Sequence, residues 1–191
     1  SCDNDGNNLL EDLVQPEVRE SVNGELNTSF DIIFAPNVIT GQDGDQDIFT
    51  RTYDGLVPGP TFRVKPGDTM NITINNMLPP NTDQSDCNPF LPHKLNSTNF
   101  HTHGLHVSPA GNSDNVLLEM LPSTTTQLEI AIPDNHPGGT HWFHPHKHGA
   151  VSIQVASGMG GALIVEGEID EVPEIAAARE FLLVFNQLKL S

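Results

Sequence analysis

Two histidine pairs, His101-Thr102-His103 and His144-Pro145-His146, stand about forty residues apart and offer the chain's clearest chemistry. In an extended strand, residues i and i+2 share a face, roughly 6.5–7 Å apart along the chain. Each H-x-H element therefore aims two imidazoles into one space, and two such elements side by side converge four ring nitrogens. Imidazole is the commonest metal ligand and suits zinc, copper, iron and nickel. One such pair among nine histidines would say little. Here Gly104 follows the first pair, and the second is embedded in Gly139-Thr140-His141-Trp142-Phe143-His144-Pro145-His146-Lys147-His148-Gly149. A surface patch of histidines needs no Trp-Phe step and no flanking glycines. The pattern reads as a metal site with His101, His103, His144 and His146 as ligands.

The other histidines sort by strand parity. A regular strand through the second motif puts His148 on the face of His144 and His146, as a further metal contact or a support for one. It points His141 the other way. His106 falls on the face opposite His101 and His103, while His93 and His136 lie in loops and are expected at the surface.

The elements that must position these ligands are short and extended. Strands are expected at Phe30–Phe34, Ile48–Tyr53, Thr61–Val64, Met70–Asn75, His101–Val107, Thr125–Ile132, Gly139–His146, Ala162–Val165 and Phe181–Phe185. Gly41-Gln42-Asp43-Gly44, Pro58-Gly59-Pro60 and Lys65-Pro66-Gly67-Asp68 punctuate them as turns. Helix is expected only as brief turns, within Ala150–Gly161 and at Ala176–Ala178, with a further short one possible at Leu9–Val14. Residues 79–98 read as a Pro- and Asn-rich loop. Fifteen prolines and sixteen glycines argue against long helices. The fold class is all-β, a sandwich or barrel of short strands, preceded by a flexible acidic tail over residues 1–26.

Composition removes several functions. A chain of 191 residues suits one domain plus a tail. Its formal charge of -17, from 25 acidic against 8 basic residues, argues against a nucleic-acid partner, whose phosphates need Lys and Arg to neutralise them. No apolar run approaches the ~18–20 residues of a membrane span. Two cysteines, Cys2 and Cys87, are too few for a disulfide scaffold, though they could pair. No signal peptide is visible, so the sequence reads as a mature or trimmed chain. Ser1-Cys2-Asp3 before a polar stretch also suits a lipoprotein cleaved ahead of Cys2, with an ordinary thiol as the alternative.

Three segments in order carry a family resemblance. Tyr53-Asp54-Gly55-Leu56-Val57-Pro58-Gly59-Pro60-Thr61-Phe62-Arg63-Val64-Lys65-Pro66-Gly67-Asp68 is similar to the first-domain signature of multicopper oxidases. His101-Thr102-His103-Gly104-Leu105 resembles their first histidine motif, and Trp142-Phe143-His144-Pro145-His146 their second. Gly160-Gly161-Ala162-Leu163-Ile164-Val165 resembles the strand that follows. The resemblance covers residues 27–190 or so. It implies a Greek-key β-sandwich of the cupredoxin type over residues 27–191, standing as the N-terminal domain of a laccase-like enzyme. It further implies that His101 ligates a type 2 copper, and His103, His144 and His146 a binuclear type 3 pair. Four histidines from another cupredoxin domain complete such a trinuclear centre, where dioxygen is reduced to water while an organic or metal-ion substrate is oxidised. Asp114 lies where the family keeps an acidic residue for proton delivery, although Ser113-Asp114-Asn115 departs from the usual Asp-Gly; otherwise it forms a turn. An extracytoplasmic location, periplasmic, secreted or lipid-anchored, is implied by analogy.

The chain also departs from the complete pattern. It has no His-Cys-His for a type 1 copper and no His-x-x-His-x-His. The expectation is therefore half of a catalytic centre, inactive alone. One competing reading is a stand-alone copper-binding or storage domain. Another is a zinc hydrolase built on His101-x-His103-x-x-His106, which has Leu105 where such a box needs aspartate.

Overall fold

The computed structural model describes residues 14–41, 44–82 and 91–187. Among the described residues nine strands form two sheets: β1 (Val18–Glu20), β2 (Glu25–Gly41), β3 (Gly44–Tyr53), β4 (Thr61–Val64), β5 (Thr69–Asn76), β6 (His101–His103), β7 (Thr124–Ala131), β8 (Gly139–His144) and β9 (Gly161–Val165). One sheet runs β1-β4-β9-β8-β6 and the other β3-β2-β5-β7. Helix among the described residues is limited to α1 (Val151–Ala156), α2 (Pro173–Ala176) and a 3-10 turn at Glu168–Glu171. This is the expected all-β Greek-key sandwich of cupredoxin type.

The alternation read in Met70–Asn75 is real. Met70, Ile72 and Ile74 are buried and their odd-numbered neighbours are half-exposed. All of β9 is buried, as its unbroken apolar run requires of a strand flanked on both sides by others. Between the sheets lies an aromatic core of Phe30, Tyr53, Phe62, Phe100 and Phe143. Phe143 is at its centre, stacked on Phe62 at 4.7 Å and packed on Phe100 at 5.1 Å and Tyr53 at 5.7 Å. That ring belongs to β8, so the core clamps the strand that carries His144.

Several expected boundaries shift, each for a local reason. Sheet structure starts at Val18, and Leu26 is in the core, so the tail boundary expected at residue 26 lies too far along. The helix considered at Leu9–Val14 falls outside the described residues except for Val14, as do Cys2 and Cys87. The strand expected over His101–Val107 stops at His103 because Gly104 takes a positive φ of 93°. The one expected over Gly139–His146 stops at His144, before Pro145, which has no N–H for the ladder. Phe181–Phe185 is irregular chain, not a strand, and Phe185 is exposed.

Gly161 pairs with Phe143 across β9 and β8, and a methyl group there would overlap both the Phe143 ring and the Pro60 carbonyl oxygen. Gly161→Ala should therefore cost about 1–3 kcal/mol by overpacking. Urea midpoints check this; a neutral substitution would show that the core does not fix β8 as described.

Candidate metal centre

Antiparallel pairing of β6 with β8 sets His101 opposite His144, Thr102 opposite Phe143 and His103 opposite Trp142. Phe143 and Thr102 are buried. Strand parity then sends His101, His103, Trp142 and His144 together to the other face. The ring centroids of His101 lie 5.8, 5.4 and 5.2 Å from those of His103, His144 and His146. His103 Nδ1 and His144 Nε2 approach to 3.3 Å. One nitrogen each from His101, His103 and His144 lies within 4.8 Å of the other two, while His146 stands just outside that tight group.

Hydrogen bonds fix which nitrogen is free in two of the rings. A carbonyl oxygen can only accept, so His144 Nδ1–H donates to Pro145 O at 2.8 Å and leaves the Nε2 lone pair open. His101 Nδ1 meets Asp114 Oδ1 at 2.8 Å, which leaves its own Nε2 free. The same carboxylate oxygen accepts the Thr102 N–H at 3.0 Å, so Asp114 holds both a ring and the backbone of the edge strand. Such a partner behind a ligating imidazole fixes its orientation.

Trp142 is the part of this site that the sequence reading missed. It stacks on His144 at 4.1 Å and on His103 at 5.1 Å, bracing both rings from one side. Its place was legible, since residues 142 and 144 share a strand face. Trp142 is 41% exposed and Phe143 fully buried, as that parity requires. Asn99 and Gln154 are also buried polar residues that the motifs alone did not single out.

The remaining histidines stay outside the cluster. His148 packs against His93 at 5.8 Å, so the regular strand that would have brought it to His146 does not exist beyond Pro145. His141 points away, as expected, and joins His136 and His106 in a second group of rings. Surface positions were expected for His93 and His136, but both are buried. His93 donates its Nδ1–H to Leu91 O and its backbone N–H to Gly149 O, whereas His136 Nε2 accepts the His106 N–H. His106 thus does not converge with His101 and His103, which removes the geometry a zinc-hydrolase box would need.

Burial pushes the His144 imidazole below its ordinary value; the Pro145 carbonyl opposes this, and the charges of His101, His103 and His146 reinforce it. His141 is lowered too, by burial and then by His136 and His106. A histidine whose folded value is depressed stabilises the fold above its unfolded value, near 6.5, and that contribution is lost as pH falls through the folded value. The metal-free chain should therefore lose stability between pH ~7.5 and ~5.5, and His144→Gln should lose less. Urea midpoints across that range check this; equal slopes in the two proteins would contradict it.

A family model described as multicopper oxidase matches residues 93–170. The chain is 27% identical over 165 residues to the multicopper oxidase mco of Staphylococcus epidermidis, which covers 81% of this chain and 30% of that protein. It is 26% identical over 163 residues to copper resistance protein A of Escherichia coli, covering 83% of this chain and 22% of that one. The chain thus spans less than a third of either relative. Among solved structures, the blue copper oxidase of Nitrosomonas europaea superposes with a TM-score of 0.56 at 26% identity, over 77% of this chain and 42% of that one. A laccase from Pediococcus acidilactici shares the fold with a TM-score of 0.64 at 19% identity, over 85% of this chain and 31% of that one. Together with the paired histidine motifs, these likenesses make the chain similar to the cupredoxin domains of multicopper oxidases.

Proposed function

We propose that this chain is the N-terminal domain of a multicopper oxidase and contributes half of its trinuclear copper centre. The observation that carries the proposal is the 3.3 Å approach of His103 Nδ1 to His144 Nε2 from two strands paired in register. Two nitrogens each about 2.0–2.1 Å from one ion, at a tetrahedral angle, stand about 3.3–3.4 Å apart. The donor set is all imidazole, which suits copper, the metal of the family. The residues fit the group.

In this reading His103, His144 and His146 hold the type 3 coppers and His101 the type 2 copper. Bound copper would supply the one-electron steps that reduce dioxygen to water while an organic or metal-ion substrate is oxidised. The chain's own residues orient the ligands. Asp114 fixes His101 in the tautomer that frees Nε2, and its carboxylate beside that ring is the acidic group for proton delivery. Trp142 restrains the rings of His103 and His144. His103 and His146 are exposed, so the cluster is open on one side, where a further cupredoxin domain would bring the remaining histidines. Among the described residues no helix is long and apolar enough to cross a membrane, and an extracytoplasmic site of action is part of the proposal.

Copper(II) titrated into the chain should bind through these histidines, and a His144→Ala, His146→Ala double variant should lose most of that binding. Unchanged stoichiometry in the variant would place the metal elsewhere. A type 1 copper needs a cysteine thiolate among histidines, and neither Cys2 nor Cys87 has a histidine neighbour. The copper-loaded chain should therefore show no intense blue absorption and no steady oxygen consumption with phenols or ferrous iron. Downstream domains carrying a His-Cys-His in the same polypeptide should bring both. A blue, turning-over chain on its own would contradict the half-centre reading, and a parent gene without such domains would favour copper storage.

A further inference from the structure

Resting on the copper reading above, we propose that Asn99 is a positioning residue: its amide replaces a missing ladder rung, holds His146 in place, and couples that ligand to the Asp114 loop. The β6–β8 register sets His101 opposite His144. Continuing it outward sets Phe100 opposite Pro145 and Asn99 opposite His146. Proline cannot donate to a ladder, so regular pairing ends there. At the next position the Asn99 side chain takes over. Its Oδ1 accepts the His146 backbone N–H at 2.6 Å, and its Nδ2 donates to Val116 O, also at 2.6 Å. The orientation of the amide is fixed by chemistry, because the N–H can only donate and the carbonyl can only accept.

The two bonds join three segments that each bear on the site. Asn99 is two residues before His101, His146 is the last ligand of the second motif, and Val116 is two residues after Asp114, which holds His101. Asn99 itself stands on rigid ground. Thr98 exchanges backbone hydrogen bonds with Met120, and Gln154 of α1, fully buried, donates to Leu95 O and Ser97 O and accepts from the Thr98 hydroxyl. With Asn99 about 1% exposed, water has little access to replace the lost bonds. His146 is exposed and lies beyond the end of β8, and this clip ties its backbone to the segment that leads into β6, while its ring meets that of His101.

In the metal-free full chain, backbone amide exchange at His146 should be at least about tenfold faster in Asn99→Ala, beyond any change at core amides such as Ile72. Unchanged exchange at His146 would overturn the clip whatever the metal does. Copper(II) should bind Asn99→Ala at least about tenfold more weakly than the parent, the range for loss of a residue supporting a ligand. In a His146→Ala background the same change should alter affinity less than about twofold. Asn99→Asp keeps the acceptor for the His146 N–H but loses the donor to Val116 O, so its copper affinity should fall between those of the parent and Asn99→Ala, and it gives a second variant should the alanine one not fold. Equal losses in both backgrounds, or a loss in Asn99→Asp as large as in Asn99→Ala, would show a general destabilisation and overturn the proposal. A parent chain whose copper binding ignores His146→Ala would sink the copper reading, and this inference with it.

Discussion

The register between β6 and β8 is the constraint on which the rest of the site depends. A slip of one residue would turn every side chain of β6 to the other face, sending His101 and His103 into the core and Thr102 to the surface. Phe143 prevents this from one side, fixed among Phe62, Phe100 and Tyr53 with the bare Cα of Gly161 beneath it. Asp114 prevents it from the other by accepting both the Thr102 N–H and the His101 ring proton. The proposed ligands are therefore placed by a core ring and a carboxylate.

Such a site carries an electrostatic cost before metal binds. Four imidazoles crowd one face, and His144 resists protonation because it is buried and because charge on His101, His103 and His146 opposes its own. A neutral imidazole with one nitrogen already donating to Pro145 is also the form a metal requires. Burial and hydrogen bonding thus favour the proton state that leaves His144 Nε2 open. The exposed edges of His103 and His146 leave room for ligands from outside this sheet.

Much of this was legible in the sequence, because its evidence was periodic or spaced. Two H-x-H pairs, the alternation of Met70–Asn75 and the small, apolar run at Gly161–Val165 each follow from strand parity and burial. What escaped depended on partners far along the chain. His136 lies in a loop yet is buried because its Nε2 receives the His106 N–H, and His93 is buried because the chain folds it onto Gly149. His148 looked like a ligand only on the assumption of a regular strand, which Pro145 ends. Asn99 drew no attention because its meaning appears only when the register puts it opposite His146. Strand ends misjudged at Val107 and His146 reflect the same limit: a positive-φ glycine or a proline decides where pairing stops, and propensity alone does not.

The proposed function requires copper to sit between the two histidine strands, held by both His103 and His144. Diffraction from copper-soaked crystals of the chain, collected on both sides of the copper absorption edge, tests this directly. An anomalous peak is expected about 2.0–2.1 Å from both His103 Nδ1 and His144 Nε2, with the β6–β8 register unchanged. A peak at the His106, His136 and His141 group or beside His93 and His148, with none between the paired strands, would contradict it.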